Sequence, residues 1–343
     1  MTDSTAPIQS PLLEVKNLRK FFPIHKGFFH RHVGDVRAVD DVSFFINAGE
    51  TLGLVGESGC GKTTASRCVL RAYQPSSGEM LFRTAEDRVV DLAQLSRPEL
   101  RPLRSQMQMI FQDPYGSLNP RMTLFDIVGE PLLMNGMKNR NERTERVAEL
   151  LGRVGLRPEF MQRFPHAFSG GQRQRIGIAR ALASDPRLVV ADEPVSALDV
   201  SVQAQILNLL LELQKELHLT YLFVAHNLSV VKHICDRVTV MYVGKIVETA
   251  ETQELYHSPK HPYTAALMSA APVADPRVKS GNVELQGDVP SPANPPSGCY
   301  FHPRCPFAID RCKTEAPAYR EITPNHFVSC HRADELQLAG VAT

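Results

Sequence analysis

The sequence predicts an α/β fold built around a parallel β-sheet, and three observations support this prediction. Residues 51–55 form a short apolar run that leads into a glycine-rich turn and then into a helical pattern starting near Lys62. Residues 188–192 and 221–225 are two more apolar runs, typical of parallel strands covered on both faces. Between these runs apolar residues recur at helical spacing, which predicts a right-handed strand–helix–strand crossover: Val202, Ile206, Leu209, Leu210, Leu213 and Leu217.

The segments on either side predict further elements. Residues 12–18 and 42–46 have the character of strands, and the insertion at 24–38, rich in Lys, Arg and His, is expected to be a solvated surface loop. Residues 121–168 predict a separate helical unit, and residues 238–248 predict a hairpin that turns at a glycine. Within the helical unit, four apolar residues fall on one helical face: Val147, Leu150, Leu151 and Val154.

Length and composition narrow the class of protein. The chain has 343 residues, so we expect one large domain with a smaller appendage. Its charged fraction of 22% and net charge of +1 give no large field for holding nucleic acid. No run approaches the roughly 18 to 20 apolar residues of a membrane helix, and the N-terminus has no signal-peptide pattern. These features predict a cytoplasmic location.

The glycine-rich turn carries the clearest motif. Its sequence, GESGCGKT, satisfies G-x-x-x-x-G-K-[ST] after a strand and at a helix start. Glycines let backbone N–H groups close around phosphate oxygens, Lys62 reaches the β- and γ-phosphates, and Thr63 ligates magnesium. The motif therefore predicts a site for ATP and Mg²⁺ that is formed by Gly56, Glu57, Ser58, Gly59, Cys60, Gly61, Lys62, Thr63 and Thr64.

Two acidic residues stand at the end of the apolar run at 188–192. Asp192 ends the run and Glu193 comes next, an order that suits a magnesium-linked aspartate beside a carboxylate that polarises an attacking water. Strands also end in acidic residues simply because they emerge into solvent. The upstream phosphate-binding loop favours the functional interpretation.

The segment FSGGQRQR at 168–175 resembles the signature of ABC ATPases, although Phe168 replaces the commoner leucine. Other family motifs follow in order: Gln112 resembles the Q-loop glutamine, SALD at 196–199 the D-loop, and His226 the switch histidine. The resemblance covers about residues 11–250. It implies a P-loop NTPase with a RecA-like core, an antiparallel β-subdomain and a helical subdomain at about 113–170.

The same resemblance implies a role for each motif. Two ATPases sandwich two ATP molecules, so that each nucleotide meets one chain's phosphate-binding loop and the partner's signature. Glu193 is the expected general base, His226 contacts the γ-phosphate, and Gln112 joins Thr63 and Asp192 at magnesium. Phe22, with Phe21 as the second candidate, matches the aromatic position that stacks on adenine; the alternative is a phenylalanine of the core. The nucleotide contacts from the signature and D-loop are Ser169, Gly170, Gly171, Gln172 and Asp199.

Three stretches resemble ATPase subunits of oligopeptide and dipeptide importers: 111–121, 191–210 and 261–270. Residues 290–305, together with the basic insertion at 24–38, look closest to the F-type subunit. This likeness implies a D-type paralogue as partner, two transmembrane permeases, an extracytoplasmic peptide-binding protein and a peripheral place on the cytoplasmic face of the inner membrane. Nucleic acid is not an expected partner. The alternatives are the same role in a nickel or other small-solute importer, and a soluble ABC ATPase acting on nucleic acid or the ribosome.

The expected division of the chain is a flexible tail at 1–10, an ABC nucleotide-binding domain at 11–255 and an oligopeptide-transporter-type region at 256–343. Six prolines between 271 and 298 predict a linker within the last region, leading to a small cysteine-bearing module.

Four cysteines in that module form a candidate metal site. Five, six and seventeen residues separate Cys299, Cys305, Cys312 and Cys330, which matches neither paired zinc knuckles nor a ferredoxin run. Four thiolates can hold a [4Fe–4S] cluster or zinc, and the alternative is four free thiols. The resemblance to peptide-importer ATPases favours the cluster. His302 and His331 are alternative ligands or polar neighbours.

Overall fold

The structure, a computed structural model, describes residues 11–269 and 287–340, so the tail at 1–10 and most of the proline-rich segment lie outside the described residues. Its strands are β1 Leu13–Lys26, β2 Arg31–Ile46, β3 Thr51–Val55, β4 Ser77–Arg83, β5 Val89–Asp91, β6 Met107–Ile110, β7 Leu188–Asp192, β8 Thr220–Ala225, β9 Arg237–Tyr242, β10 Lys245–Glu251, β11 Arg320–Thr323 and β12 His326–Val328. Its α-helices are α1 Lys62–Val69, α2 Arg97–Leu100, α3 Leu124–Met134, α4 Arg140–Arg153, α5 Gly170–Leu182, α6 Val200–Leu217, α7 Leu228–Ile234, α8 Thr252–His257, α9 Pro262–Ser269 and α10 Asp310–Thr314.

The main sheet has the strand order β11-β12-β10-β9-β3-β8-β7-β6. Strand β3 pairs in parallel with β8 and β9, and β7 pairs in parallel with β8 and β6. Every residue of β3, β7 and β8 is buried, as expected of parallel strands covered on both faces. The three predicted parallel strands are therefore confirmed, and α6 connects β7 to β8 as the apolar spacing predicts.

A smaller antiparallel sheet, with the order β2-β1-β4-β5, contains the basic insertion. The expected surface loop at 24–38 is wrong, because β1 and β2 pair from Leu13 opposite Ile46 to Lys26 opposite Arg31, with several register shifts along the ladder. Backbone hydrogen bonds along this ladder replace the contacts with water that a loop would make. Most side chains toward the hairpin tip are exposed, so the segment lacks the buried alternating face that marks a strand in sequence.

The helical unit predicted at 121–168 consists of α3, α4 and short 3₁₀ turns. Helix α3 begins at the Thr123 N-cap, where a capping box with Asp126 satisfies free backbone N–H groups. The predicted apolar face of α4 is confirmed, since its members are buried in the main core. This unit leads directly into the N-cap of α5 at Ser169.

The C-terminal residues extend the main sheet instead of forming a unit apart. Strand β12 pairs with β10, and β11 pairs with β12. Phe301 is 1% exposed and belongs to the same hydrophobic core as the parallel strands. The hairpin predicted to turn at Gly244 is confirmed as β9 and β10. Within the described residues, no helix is both long and apolar enough to span a bilayer.

Candidate functional site

The phosphate-binding motif forms the loop between β3 and α1. The Lys62 side chain is buried inside this loop, and its ammonium group donates to the carbonyl oxygens of Gly56 at 2.7 Å and Glu57 at 3.0 Å. A buried ammonium is stable only when its donors are satisfied, so these carbonyls fix the side chain. The lysine is thereby held at the centre of the loop, where a phosphate group would meet its charge.

Two glycines of this loop are required by their surroundings. Gly56 and Gly61 have φ angles of 149° and 107°, which L-residues rarely adopt. A Cβ atom at Gly56 would lie 2.2 Å from the carbonyl oxygen of Met241 in β9, and one at Gly61 would lie 2.1 Å from that of Ala38 in β2. The loop therefore packs closely against β9 of the main sheet and β2 of the smaller sheet, and these contacts fix its backbone.

The predicted magnesium ligands Thr63, in α1, and Asp192, at the end of β7, lie in contact. The Thr63 hydroxyl donates to a carboxylate oxygen of Asp192 at 3.1 Å. Asp192 ends β7 and is 2% exposed, and this burial raises the pKa of its carboxyl above the ordinary value. A cation bound beside the pair would favour the charged carboxylate. Their arrangement suits a hydroxyl and a carboxylate that share one magnesium ion.

Three of the predicted catalytic side chains converge on one oxygen atom. The Gln112 amide donates to Oε2 of Glu193 at 2.9 Å, and Nδ1 of His226 lies 3.1 Å from the same oxygen. Glu193 follows Asp192 and adopts a left-handed backbone conformation, with a φ of 46°. For a non-glycine residue this conformation costs roughly 1 to 3 kcal/mol, a strain often found at functional sites. Gln112 thus contacts Glu193, and no contact joins it to Thr63 or Asp192 in the described hydrogen bonds.

The signature residues begin helix α5. Ser169 is the N-cap, and Gln172 completes a capping box with it. Gly170 and Gly171 form the first turn, so their N–H groups belong to the free donors of a helix start. Asp199 occupies the N-cap position of α6. The hydrogen bonds of the Ser169 and Gln172 side chains stay within the signature itself.

The adenine candidate Phe22 lies in β1 and is half-buried. Its ring meets the edge of Tyr73 at a centroid distance of 5.7 Å, and the Lys20 ammonium lies 4.8 Å from the same ring. Phe21, the second candidate, lies beneath the Arg37 guanidinium at 5.9 Å. These contacts leave the stacking assignment as a prediction.

The four cysteines of the candidate metal site line one small cavity and carry free thiols. Burial raises the pKa of the Cys299 thiol to about 12 and that of the Cys330 thiol to about 11. Thiols with such pKa values are neutral near pH 7, so a metal would have to displace their protons. His302 and His331 also line the cavity, and each has one ring nitrogen near a backbone carbonyl, 2.9 Å from Cys299 and 3.0 Å from Glu315.

The four cysteine sulfurs of this cavity are the right kind of donor atom for a group that takes four sulfur ligands. In the described part of the chain, however, no three His, Cys, Asp or Glu side chains are placed to hold a single metal ion. A zinc ion requires sulfur atoms about 3.8 Å apart, which follows from a Zn–S bond of about 2.3 Å in a tetrahedron. The structure therefore gives no support to a preformed metal site here, and both the [4Fe–4S] cluster and zinc stay predictions.

Comparison with known families now decides the class of protein. Residues 39–196 match the family described as ABC transporter, and residues 247–312 match the family described as oligopeptide/dipeptide transporter, C-terminal region. The first match includes the phosphate-binding loop, the signature and the Asp192–Glu193 pair. The chain belongs to the ABC transporter ATPase family.

Curated relatives of this ABC ATPase match almost its full length. The oligopeptide transport ATP-binding protein AppF of Bacillus subtilis is 56% identical over 95% of this chain and 99% of its own. A probable peptide ABC transporter ATP-binding protein of Sinorhizobium fredii is 53% identical over 93% of this chain and 89% of its own. A putative peptide import ATP-binding protein of Brucella ovis is 51% identical over 94% and 98%.

Solved structures confirm the ABC ATPase fold. A dimeric ATP-binding cassette in a post-hydrolysis state, bound to ADP and Pi, matches with a TM-score of 0.61 and 28% identity. It covers 70% of this chain and 98% of its own. A protein of Clostridium perfringens that is part of an ABC transporter complex matches with a TM-score of 0.60 and 28% identity, over 72% and 90%.

Sequence reasoning missed the contacts that join the signature helix of this ABC ATPase to the segment around Gln112. The Arg173 guanidinium lies 4.2 Å from the Tyr115 ring centroid, and Arg180 donates to the Ser117 carbonyl at 2.7 Å. Gln174 is 2% exposed, and its amide lies 3.5 Å from the Phe111 carbonyl. The signal was the polar run that follows the signature glycines, which the motif alone did not explain.

Proposed function

We propose that this chain is the ATP-hydrolysing subunit of an importer for dipeptides or oligopeptides. The observation that carries the proposal is the convergence of Gln112 and His226 on Glu193, one residue beyond the Asp192 carboxylate that contacts Thr63. Four motifs separated in sequence thus meet in one place, as a phosphoryl-transfer site requires.

The phosphate-binding loop holds the nucleotide. Its backbone N–H groups and the start of α1 face the phosphate oxygens, and Lys62 neutralises charge on the β- and γ-phosphates. Thr63 and Asp192, with Gln112, would hold Mg²⁺, which would supply positive charge against the charge that develops on the phosphates. Phe22 stacks on the adenine ring.

Glu193 acts as the general base. Its carboxylate accepts a hydrogen bond from Gln112 and lies beside His226, so both neighbours orient it toward a water that attacks the γ-phosphate. His226 is 56% exposed in its side chain, which leaves it able to contact the γ-phosphate as well. The protein itself needs to do little covalent chemistry in this reaction, because positioning of the reactants supplies most of the catalysis.

A second ATPase completes each site. The partner's signature supplies N–H donors to the γ-phosphate, and Asp199 lies at the interface. The signature of this chain caps its own helix and serves the partner's nucleotide in turn. The related cassette bound to ADP and Pi is dimeric, which supports this arrangement. We propose that the partner is a D-type paralogue and that closure of the pair drives two permeases.

Peptide import follows from likeness over the whole chain. The relatives named for peptide transport match this chain along nearly its full length, and residues 247–312 match the family described as oligopeptide/dipeptide transporter, C-terminal region. The chain would act at the cytoplasmic face of the inner membrane, with an extracytoplasmic peptide-binding protein delivering cargo.

Copurification tests this assignment. The tagged chain, isolated from membranes dissolved in mild detergent, should bring two permeases and a paralogous ATPase. Ribosomal proteins or nucleic acid in their place would contradict import. Binding of labelled dipeptides to the extracytoplasmic component of the same complex, compared with binding of Ni²⁺, separates peptide import from nickel import.

The C-terminal cysteines are proposed to hold a [4Fe–4S] cluster. Support comes from the four thiols that line one cavity. The residues that would hold it are Cys299, Cys305, Cys312 and Cys330.

Metal analysis tests the cluster directly. Protein purified without oxygen should contain about four irons and four acid-labile sulfides per chain. Replacement of Cys312 with Ser should lower both, whereas replacement of Cys68, a buried thiol of α1 that does not line the cavity, should lower neither. Stoichiometric zinc or no metal in the wild-type protein would contradict the cluster and leave the ATPase assignment intact.

A further inference from the structure

An ion pair joins the cysteine-bearing region to the phosphate-binding loop. The Arg304 guanidinium donates to both carboxylate oxygens of Glu57, at 2.8 and 3.1 Å. Arg304 lies between Phe301 and Cys305, both of which line the cysteine cavity, and Glu57 is the second residue of the loop. More than two hundred residues of chain therefore separate two groups that meet face to face.

The backbone of Glu57 is held as firmly as its side chain. Its N–H donates to the Tyr263 hydroxyl at 3.0 Å, and its carbonyl accepts from Lys62 at 3.0 Å. Arg304 holds the remaining polar group, the carboxylate. The orientation of Glu57 thus fixes one of the two carbonyls that position the phosphate-binding lysine.

The environment of Arg304 makes this pair strong. Its side chain is 6% exposed, and Tyr242 lies beside it, with the hydroxyl 3.4 Å from the guanidinium. Tyr242 packs in turn on Tyr263 and Phe301, at centroid distances of 4.7 and 5.2 Å. Water is largely kept away from the guanidinium, so the two-pronged contact with a carboxylate is weakly screened.

The charges also matter for nucleotide binding. A carboxylate in a phosphate-binding loop repels the phosphates, and a guanidinium on both of its oxygens cancels that repulsion. We infer that Arg304 is a positioning residue of the nucleotide site: it acts through Glu57, whose charge it neutralises, and so sets the affinity of the loop for Mg²⁺–ATP. The inference rests on the proposed nucleotide site.

Removal of the arginine tests the inference. Arg304→Gln should weaken binding of ATPγS with Mg²⁺ about tenfold, because the Glu57 carboxylate is left uncompensated beside the phosphates. In steady-state hydrolysis KM should rise while kcat changes less than about twofold. Arg304→Lys should recover part of the affinity. Arg311→Gln, which removes an exposed arginine paired with Glu315, is the matched control and should leave affinity unchanged.

The double variant separates charge from simple damage to the fold. Glu57→Gln combined with Arg304→Gln removes both charges, and its affinity should return to within about threefold of the wild type. If Arg304→Gln alone does not fold, the double variant is compared with Arg304→Lys, which should bind more weakly than the wild type. Unchanged affinity in folded Arg304→Gln, or weak binding by the double variant, would overturn the inference. A wild-type protein that fails to bind ATPγS would contradict the proposed function instead.

Discussion

Among single residues, Glu193 depends most on its neighbours. It sits in a left-handed backbone conformation directly after β7, and its N–H donates to the Val224 carbonyl at 2.9 Å. This bond ties the residue to β8, the strand that carries His226 at its end. The carboxylate is consequently directed toward His226 and Gln112 by the backbone of two parallel strands, and not by side-chain packing alone.

Thr63 offers a test of the magnesium assignment. Thr63→Val keeps the shape of the side chain but removes the hydroxyl that contacts Asp192, so the strengthening of ATP binding by Mg²⁺ should fall about tenfold. Thr63→Ser retains the hydroxyl and should behave as the wild type. Nucleotide affinities measured with and without Mg²⁺ give the comparison, and Thr63→Val that kept the full magnesium effect would exclude Thr63 as a ligand.

His261 predicts a pH dependence of stability. It is 2% exposed, its Nδ1 accepts from the Tyr263 N–H at 3.0 Å, and burial lowers its pKa to about 3. In the unfolded chain the His261 imidazole has an ordinary pKa of about 6.5 and binds a proton below that pH. In the folded protein the imidazole stays neutral over the same range. Stability contributed by the neutral imidazole is therefore lost as pH falls from 7 to 5, by about 2 kcal/mol.

The measurement is the free energy of unfolding at pH 7 and pH 5. In His261→Gln the loss between the two should be about 2 kcal/mol smaller than in the wild type. His257→Gln replaces an exposed histidine nearby and should keep the wild-type dependence. An identical pH dependence in His261→Gln and the wild type would show that His261 is not the group responsible.

Motifs identified the candidate catalytic residues, but they could not predict how these residues contact one another. Family order placed Gln112, Glu193 and His226 at one site, and the structure joins them. The contact between Arg304 and Glu57 could not be predicted from the sequence, because the two residues lie far apart in the chain and no local pattern relates them. Contacts of this kind depend on tertiary packing, which a single sequence does not encode in any local pattern.

At the scale of elements, a buried pair fastens β12 to β10. Nε2 of His326 lies 2.7 Å from a carboxylate oxygen of Glu248, and the two side chains are 1% and 0% exposed. Glu248 also accepts from the backbone N–H groups of Lys260 and His261, at 2.6 and 3.0 Å. The Glu248 carboxylate therefore links three segments: its own strand β10, residues 260–261 and strand β12, which supplies His326.

Loss of His326 should weaken the whole fold. His326→Ala removes one partner from a buried pair, which typically costs about 3 to 5 kcal/mol. Chemical denaturation measures the effect, and Arg320→Ala in neighbouring β11 is the control, since Arg320 pairs with Asp334 on the surface and should change stability by less than about 1 kcal/mol. Equal effects of the two substitutions would contradict a structural role for the buried pair.

Strand and helix bounds illustrate what periodicity can and cannot predict. The apolar runs at 51–55 and 188–192 coincide with β3 and β7, because strands buried on both faces leave a continuous hydrophobic signal. The hairpin at 24–38 leaves none. Its tip carries Phe28 and Phe29 at 94% and 91% exposure, so its strands are defined by backbone pairing and not by a buried face.

At the scale of the whole molecule, the cysteine-bearing C-terminal region was expected to be a small module connected by a linker. In the structure its strands β11 and β12 belong to the main sheet. Proline content predicted the break in the pattern, yet it could not predict that β12 would return to β10 or that Phe301 would enter the core. Return of a chain end to an open sheet edge is a long-range event with no local signature. The phosphate-binding loop, the core and the cysteine cavity are consequently parts of one packed body in the described residues.

The most direct test of the central claim is the rate of ATP hydrolysis by Glu193→Gln beside its affinity for ATP. We expect ATP binding close to that of the wild type and hydrolysis slower by a factor on the order of 10² to 10⁴, because the amide cannot accept the water's proton. Glu212→Gln, an exposed position on α6, should hydrolyse at the wild-type rate. Full hydrolysis by Glu193→Gln would contradict the assignment of Glu193 as the catalytic base.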